Sequence, residues 1–575
     1  MDATTLRAVL AELRPVLVPG RFEKAQQSDG QTMQLGFRSL HGSHWLELSW
    51  QAEAPLLLAI PPPAREGEGS TLAQQLQHAL RGLALVAVEQ HGWERVVELV
   101  FARRPGEPGR RFLVLELMGR RSNLFLLDEE RRVIALGRQI RADQSRLRPI
   151  STGDSYRPPP PMAGDVPCGS ESEADWQRRL CLVPLPLGRA LRDTYQGLGP
   201  ALVRQLLAGA SPGLLERPVT ELQPSQWRDL RLQWQRWLDA VERERFCLRW
   251  GGGSDYRCWS GSETPGVPLQ GASTDPLAIN RGLATYYGER RAQRRLEQRR
   301  HELGQRLQAA MAREERTISR QQAALDAVAG SELMQGHADA LLSQPSPSRQ
   351  QIEAAQKLYR QARKLRRSVG AITPRLELHR QRHAWMETSL TFLEQADSPD
   401  QLKALEEEMR QELPEVLPPG GRPGQSAMTN RAQRRQAAGG AQPPQPLELR
   451  TAGGLQLQVG RNHRQNEWIS LRQARRGDLW FHAQECPGSH VVLKGSEQPP
   501  GEADLRAAAD LAAHFSRARG NTRVPVVMVP TDDLQRIPGA AAGTVRHRGG
   551  EILWGEPARA RLLLEPSYSL GGGPP

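Results

Sequence analysis

The stretch "GDLWFHAQECPGSHVVLKG", residues 477–495, gathers Asp478, His482, Cys486, Ser489 and His490. Three readings compete for it: a metal site, a cysteine nucleophile with its base, or a turn between two strands. Pro487-Gly488 breaks any helix in the middle of the set, so the spacing of four between His482, Cys486 and His490 does not make a helix face. Alternation puts Leu479, Phe481 and Ala483 on one face of a strand and Trp480 and His482 on the other. The stretch reads as strand, tight loop, strand, with His490 presented at the loop mouth. No second cluster with zinc-like spacing stands elsewhere, so no metal or other cofactor is expected. Nearness in sequence says little about a Cys486–His490 pair, because fold geometry sets a catalytic pair.

Around this hairpin lies a last domain, 448–566, with strands "LQLQVG", "PVVMVP" and "EILWG" and the helix "EADLRAAADLAAHFSRARG". Before it, 413–447 is rich in Pro, Gly, Gln and Arg and reads as a flexible linker; after it, 567–575 reads as a disordered tail.

At 575 residues the chain exceeds one hydrophobic core, and its 44 prolines and 53 glycines imply linkers between modules. The net charge of +13 points to an anionic partner, most simply nucleic acid. Only five of the 77 basic residues are lysine, so the excess of charge carries the argument and guanidinium geometry does not. Five scattered cysteines, with no CxxC pair, argue against a disulfide framework and fit a reducing cytoplasm. No apolar run approaches the roughly 18 residues of a membrane span, and the start lacks a basic region followed by an apolar one.

Residues 1–165 read as a short helix followed by many strands, among them "TMQLGFR", "HWLELSW", "RVVELVFA", "RFLVLELM" and "SNLFLLDEE", an α+β domain with a mostly antiparallel sheet. In 166–270, Leu187, Leu191 and Tyr195 share one helix face, Gly197-Leu198-Gly199 turns the chain, and Pro200 opens a second helix. This is a helix-hairpin-helix pattern. Gly197 and Gly199 could leave backbone N–H groups open to a phosphate, or the element is an ordinary corner between helices. Over 271–412, Leu296, Leu303, Leu307, Met311 and Ile318, then Leu358, Leu365, Val369, Ile372 and Leu376, mark two coiled-coil seams. Gly330, Gly336, Pro345 and Pro347 between them predict a chain reversal, hence a long antiparallel coiled-coil hairpin. Arg290, Arg291, Arg294, Arg295, Arg299 and Arg300 form one basic cluster. Lys357, Arg360, Arg363, Lys364, Arg366 and Arg367 form the other; both read as phosphate or rRNA contacts, against the plainer reading of a solvated face.

The fold class is thus multidomain α+β: an N-terminal α+β domain, a helix-hairpin-helix domain, a coiled-coil hairpin and a C-terminal α+β domain. "GRNHRQNEWISLRQARRGDLWFHAQECPGSHVVLKG" resembles the NFACT-R domain, through its glycine-basic-asparagine, glutamine-asparagine, Trp-Phe-His and Pro-Gly-Ser-His motifs. "GWERVVELVF" and "LELMGRRSNLFLLDEERRVI" resemble the NFACT-N domain, and "QKLYRQARKLRRSVGAI" falls in family order. The chain is therefore identified as a member of the NFACT family, resembling its bacterial RqcH group, the fibronectin-binding protein A-like relatives of eukaryotic NEMF.

That resemblance implies a cytoplasmic, ribosome-associated quality-control factor. Its implied partners are the large (50S) ribosomal subunit, with its rRNA and ribosomal proteins, peptidyl-tRNA, alanyl-tRNA and a small S4-like protein, with no membrane. The implied activity is recruitment of alanyl-tRNA for untemplated C-terminal alanine tailing, with the ribosome making the bonds, so the chain is not itself an enzyme. Glu94 and Arg95 fall where the family has an Asp-Arg pair for tRNA; Gly119, Arg120, Ser122 and Asn123 match a second motif on the same domain. Trp480, His482, Pro487, Gly488, Ser489 and His490 carry the NFACT-R motif, and the Trp-Phe-His rings could stack on RNA bases or pack in the core. The N-terminal domain also resembles formamidopyrimidine-DNA glycosylases. Asp2 stands where those need proline, so that chemistry is not expected. An RNA-binding factor without tailing, a fibronectin-binding surface protein and a metal hydrolase using His482 and His490 are the alternatives.

Overall fold

The computed structural model describes residues 1–64, 70–141, 143, 148–207, 213–251, 256–260, 275–417, 443–496 and 498–564. The tail at 567–575, and the linker from 418 to 442, lie outside the described residues. Two compact units emerge, one from Met1 to Ala292 and one starting at Gln293.

The first unit opens with α1 (Ala3–Leu17). Asp2 caps it, its carboxylate accepting the Thr5 N–H at 2.9 Å. Leu6, Val9, Leu10 and Leu13 make one apolar stripe, fully buried against a nine-stranded sheet. The strands are β1 (Gly20–Asp29), β2 (Thr32–Ser39), β3 (Gly42–Ser49), β4 (Leu56–Ile60), β5 (Ala84–Gln90), β6 (Val96–Ala102), β7 (Arg111–Glu116), β8 (Asn123–Leu127) and β9 (Val133–Leu136), with α2 (Thr71–Leu80) between β4 and β5. Their order is β4-β3-β2-β1-β5-β6-β7-β8-β9, antiparallel at every pairing. The predicted antiparallel α+β domain is present.

Helices α3 (Glu173–Leu180), α4 (Leu187–Thr194), α5 (Pro200–Leu206) and α6 (Pro224–Glu242) follow. Leu187, Leu191, Leu202 and Leu206 are buried as the spacing predicts, in a core built around Trp176, Trp234 and Trp237. Tyr195 is equally buried, yet it caps α4 in extended conformation, so the helix stops one residue short of it. A small antiparallel ribbon of β10 (Arg249–Trp250) and β11 (Tyr256–Arg257) precedes α7 (Ala278–Asp326), which begins in this unit.

In the second unit α7 is followed by α8 (Gly330–Leu342), α9 (Arg349–Gln395) and α10 (Pro399–Glu412). Leu296, Leu303 and Leu307 of α7 pack on Trp385, Met386, Phe392 and Leu393 of α9, and His379 Nδ1 lies 2.6 Å from the Glu314 carboxylate. Toward the other end of α9, the Tyr359 hydroxyl meets Asp339 of α8, and Arg366 donates to Gln335 at 2.5 Å. The pairing is antiparallel. The reversal occurs at 343–348, around Pro345 and Pro347; Gly330 opens α8 and Gly336 sits inside it. Leu413 and Leu417, predicted as linker, are buried in this helical core at 1% and 3% exposure, because both apolar side chains reach the α10 contacts.

The last sheet holds β12 (Leu447–Arg450), β13 (Gln456–Val459), β14 (Leu479–Ala483), β15 (Val491–Leu493), β16 (Val524–Pro530) and, after the separate ribbon of β17 (Leu534–Arg536) and β18 (Val545–His547), β19 (Glu551–Gly555). Its order is β12-β13-β15-β14-β16-β19, again antiparallel throughout. Helices α11 (His463–Glu467), α12 (Glu502–His514) and, after β19, the short α13 (Arg561–Leu564) pack with it. α12 covers one face with Ala508, Ala509, Ala512 and Ala513, small enough that the helix lies close on Phe481, Val491 and Val526. α12 ends at His514 rather than at Gly520.

Candidate nucleic-acid interface

The hairpin reading of 477–495 holds: Leu479 pairs with Leu493, Trp480 with Val492 and Phe481 with Val491. Phe481 and Ala483 enter the core under α12, while Trp480 belongs to the cluster on the opposite face. Asp478 closes the open end. Its carboxylate accepts from Lys494 Nζ at 3.0 Å, from the Ser496 hydroxyl at 2.6 Å and from the Arg475 N–H at 2.9 Å. These donors outweigh burial and hold its pKa below the usual carboxylate range.

The Pro-Gly-Ser-His loop is docked, not displayed. Ser489 N–H donates to the Phe515 carbonyl at 2.9 Å and Arg517 N–H to the Pro487 carbonyl at 2.9 Å. A Cβ on Gly488 would stand 3.0 Å from Ser516. His490 is buried at 4% exposure, its N–H donating to Asn466 Oδ1 at 3.0 Å and its Nδ1 lying 2.8 Å from the Ser470 hydroxyl. This corrects the expectation of a residue at the loop mouth, and the backbone contact to Asn466 is the reason. The other motifs acquire roles in the same frame. Asn462 caps α11 by accepting the Gln465 N–H at 2.8 Å, and a Cβ on Gly460 would collide with Asn466 Oδ1 at 2.1 Å.

On the Trp480 face the rings assemble. Trp480 and His482 lie 13° from parallel with centroids 5.5 Å apart, and His490 meets Trp480 edge-on at 5.1 Å. Facing residues are ones the sequence reading missed: Trp385 of α9, stacked on His463 at 4.4 Å and 14°, and His547 of β18, 5.8 Å from Trp480. Together they line a cavity of about 590 Å³. Burial drives the His463 pKa down to about 3 and that of His482 to about 4, against a hydrogen bond from His482 to the Gly488 backbone that raises it; His490 is pushed well below its ordinary value. Ser389 and His463 Nε2 share a hydrogen bond of 2.8 Å. The Cys486 thiol donates to the Pro487 carbonyl at 3.7 Å, and among the described residues it makes no hydrogen bond to an imidazole. Among the described residues no cluster of three His, Cys, Asp or Glu could hold a metal.

In the first unit, the Glu94 carboxylate accepts the Met162 N–H at 2.8 Å, and the Arg95 carbonyl accepts the Leu117 N–H at 2.8 Å. Both side chains are half-buried, immediately before β6. Gly119 adopts φ +59° and Arg120 is exposed, whereas Ser122 and Asn123 are buried at 2% and 0%. Ser122 accepts the Met118 N–H at 2.8 Å; Asn123 donates to the Arg138 carbonyl at 2.7 Å and accepts its N–H at 2.9 Å. Those two hold the turn that presents Gly119 and Arg120 and are not themselves accessible to a ligand. Gly197, expected as an open phosphate cradle, is buried against Trp93, and the Gly199 N–H points at the Gly197 carbonyl at 3.2 Å.

The two basic clusters differ. Arg291 pairs with Glu47 at 2.6 Å and Arg299 with Glu406 at 2.5 Å, while Arg290 lies over the Tyr286 ring at 4.9 Å, on a cavity it shares with Arg204, Arg257 and Tyr287. Arg294 is exposed. On α9, by contrast, Lys357, Arg360, Arg363, Lys364, Arg366 and Arg367 are all exposed, and none forms an ion pair among the described residues. No helix of the described residues is long and apolar enough to cross a membrane.

Comparison with known proteins agrees with this geometry. The model for NFACT N-terminal and middle domains matches residues 2–346 and 344–414, and that for the NFACT protein RNA binding domain matches 448–549. The chain belongs to the NFACT family and carries its RNA-binding domain. It is 25% identical to "Rqc2 homolog RqcH" of Streptococcus pneumoniae over 96% of this chain and 97% of that one. Proteins of the same name from Streptococcus suis and Bacillus subtilis are each 24% identical, over 98% and 82% of this chain and 99% and 83% of theirs.

Proposed function

We propose that this chain is a ribosome quality-control factor. It binds large (50S) subunits that still carry peptidyl-tRNA, recruits alanyl-tRNA and directs untemplated C-terminal alanine tailing that marks the nascent chain for degradation. The ribosome forms the peptide bonds; this chain supplies binding and orientation, and works in the cytoplasm on the ribosome. The observation that carries the reading is the run of six exposed cations on α9 without carboxylate partners, a surface whose affinity for phosphates rests on counterion release. Glu94, Arg95, Gly119 and Arg120 are the tRNA-facing set, with Ser122 and Asn123 as its support.

Purification from its own cells at mild salt, followed by sequencing of the bound RNA, tests this. Large-subunit rRNA together with one tRNA isoacceptor family, alanine expected, supports it; absence of RNA refutes it. A second reading, binding without tailing, is favoured by Glu94, whose longer arm is engaged by the Met162 N–H. Recovery of rRNA without tRNA would select that reading.

A further inference from the structure

We propose that the cavity on the Trp480 face of the C-terminal sheet takes a single unpaired nucleobase of RNA, unstacked from its neighbours. The inference rests on the RNA-binding reading above and specifies what enters the site.

The cavity is lined by two stacked ring pairs, Trp480 with His482 on β14, and Trp385 with His463. Flat aromatic faces of this kind accept a base of any sequence by stacking. Its volume, about 590 Å³, falls within the ~300–1,000 Å³ typical of small-ligand sites. The interior is uncharged: His463, His482 and His490 are held neutral by burial, and the one carboxylate on the lining, Glu485, is exposed at the edge. A phosphate would find no cation inside, whereas a neutral heterocycle loses little on entering. Two polar groups lack a partner. The Trp480 and Trp385 rings are 2% and 6% exposed, and both indole N–H groups are buried without an acceptor. A buried donor left unpaired calls for an acceptor, and the ring nitrogens and carbonyls of a nucleobase are acceptors of the right kind. His482 adds an imidazole whose remaining nitrogen can meet the edge of the base. Arg546 and Arg548, exposed neighbours of His547 in sequence, keep positive charge on and beside the same short ribbon.

The test uses the full chain and 12-nucleotide single strands of each base, beside an abasic strand with the same phosphates. At least one base-bearing strand should bind about tenfold tighter than the abasic strand, and Trp480→Phe, which keeps an aromatic ring, smaller than indole, and removes the N–H, should erase most of that difference. Ultraviolet crosslinks to the base-bearing strand should map to the β14 peptide. Thermal unfolding checks that Trp480→Phe, which trims a buried ring, remains folded at the assay temperature; His482→Ala, at a half-buried ring, provides the second variant. Equal affinity for abasic and base-bearing strands, with large-subunit binding intact, overturns the nucleobase site and leaves the RNA-binding reading standing. Loss of salt-sensitive binding to every strand and to large subunits would instead refute the RNA-binding reading itself.

Discussion

Gly197 is fitted to Trp93: a Cβ there would stand 2.7 Å from the indole ring, and the backbone at φ +79° is already in the left-handed region. Trp93 in turn lies under the Arg7 guanidinium at 4.2 Å and against Trp237 at 5.3 Å, and it immediately precedes Glu94 and Arg95. The helical hairpin is therefore packed on the residue that immediately precedes the proposed tRNA-facing pair. Gly197→Ala should destabilise the first unit by about 2–4 kcal/mol, from overpacking plus a left-handed alanine. Limited proteolysis of the full chain in rising urea would show the earlier loss; an unchanged midpoint would remove Gly197 from any structural role.

Lys357, Arg360 and Lys364 recur at three and four residues and share one face of α9. Replacing all three with glutamine should leave thermal unfolding unchanged, since all are exposed. Binding to purified large subunits should weaken, and its log–log salt dependence should fall by about 2–3, near 0.9 for each phosphate no longer neutralised. An unaltered slope would assign the cluster to solvation alone.

The strands of both sheets and the faces of the hairpin helices are legible because burial writes a period of two or of about 3.6 into the sequence. Phe481 in the core and Trp480 on the other face follow from alternation alone. What stays hidden is long-range. Trp385 and His463 come to line one cavity with Trp480 and His490 only through the tertiary fold, and no local pattern marks His547 on its short ribbon as a neighbour of Trp480. Ser122 and Asn123 mislead for a related reason: short polar side chains in a motif look like ligands until the backbone groups they satisfy are known. The linker reads too long because Leu413 and Leu417 are two apolar residues in a polar segment, too few to show periodicity.

Lys494 and Asp478 form an ion pair 3.0 Å long with side chains 7% and 0% exposed. Removing one partner of a buried pair typically costs about 3–5 kcal/mol. Asp478 keeps its bonds from Ser496 and Arg475, so Lys494→Met should fall at or below the lower end of that range. Hydrogen exchange of the β14 and β15 amides measures it; protection equal to the parent would show the pair to be dispensable.

Acid should loosen the second unit in a defined window. His463 and His490, buried, and His482, half-buried, have depressed pKa values, so they bind protons on unfolding below their ordinary value near 6.5; their contribution is present above that pH and is lost as pH falls toward 4. Glu408 works oppositely. Burial raises it to about 7, against hydrogen bonds from the Arg464 and His463 N–H groups, so its contribution is present below about 4.5 and lost as pH rises through 7. Three protons taken up minus one released leaves about two, so stability should fall by a few kcal/mol per pH unit as pH drops from about 6.5 to 4.5. Glu408→Gln should steepen that slope, read as exchange protection of β14 corrected for intrinsic rates; a flat profile would mean the imidazoles are already protonated when folded.

Glu94 offers a way to separate a tether from a recognition group. Glu94→Gln retains an amide oxygen to accept the Met162 N–H but removes the charge, so stability should change by less than about 1 kcal/mol. Arg95→Ala leaves its backbone bond to Leu117 intact and removes the half-buried side chain beyond Cβ, guanidinium included. If the pair faces tRNA, both variants should still recover large-subunit rRNA from cells while the accompanying tRNA falls severalfold. Should Glu94→Gln keep its tRNA while Arg95→Ala loses it, the carboxylate serves the fold at Met162 and the guanidinium alone does the reading.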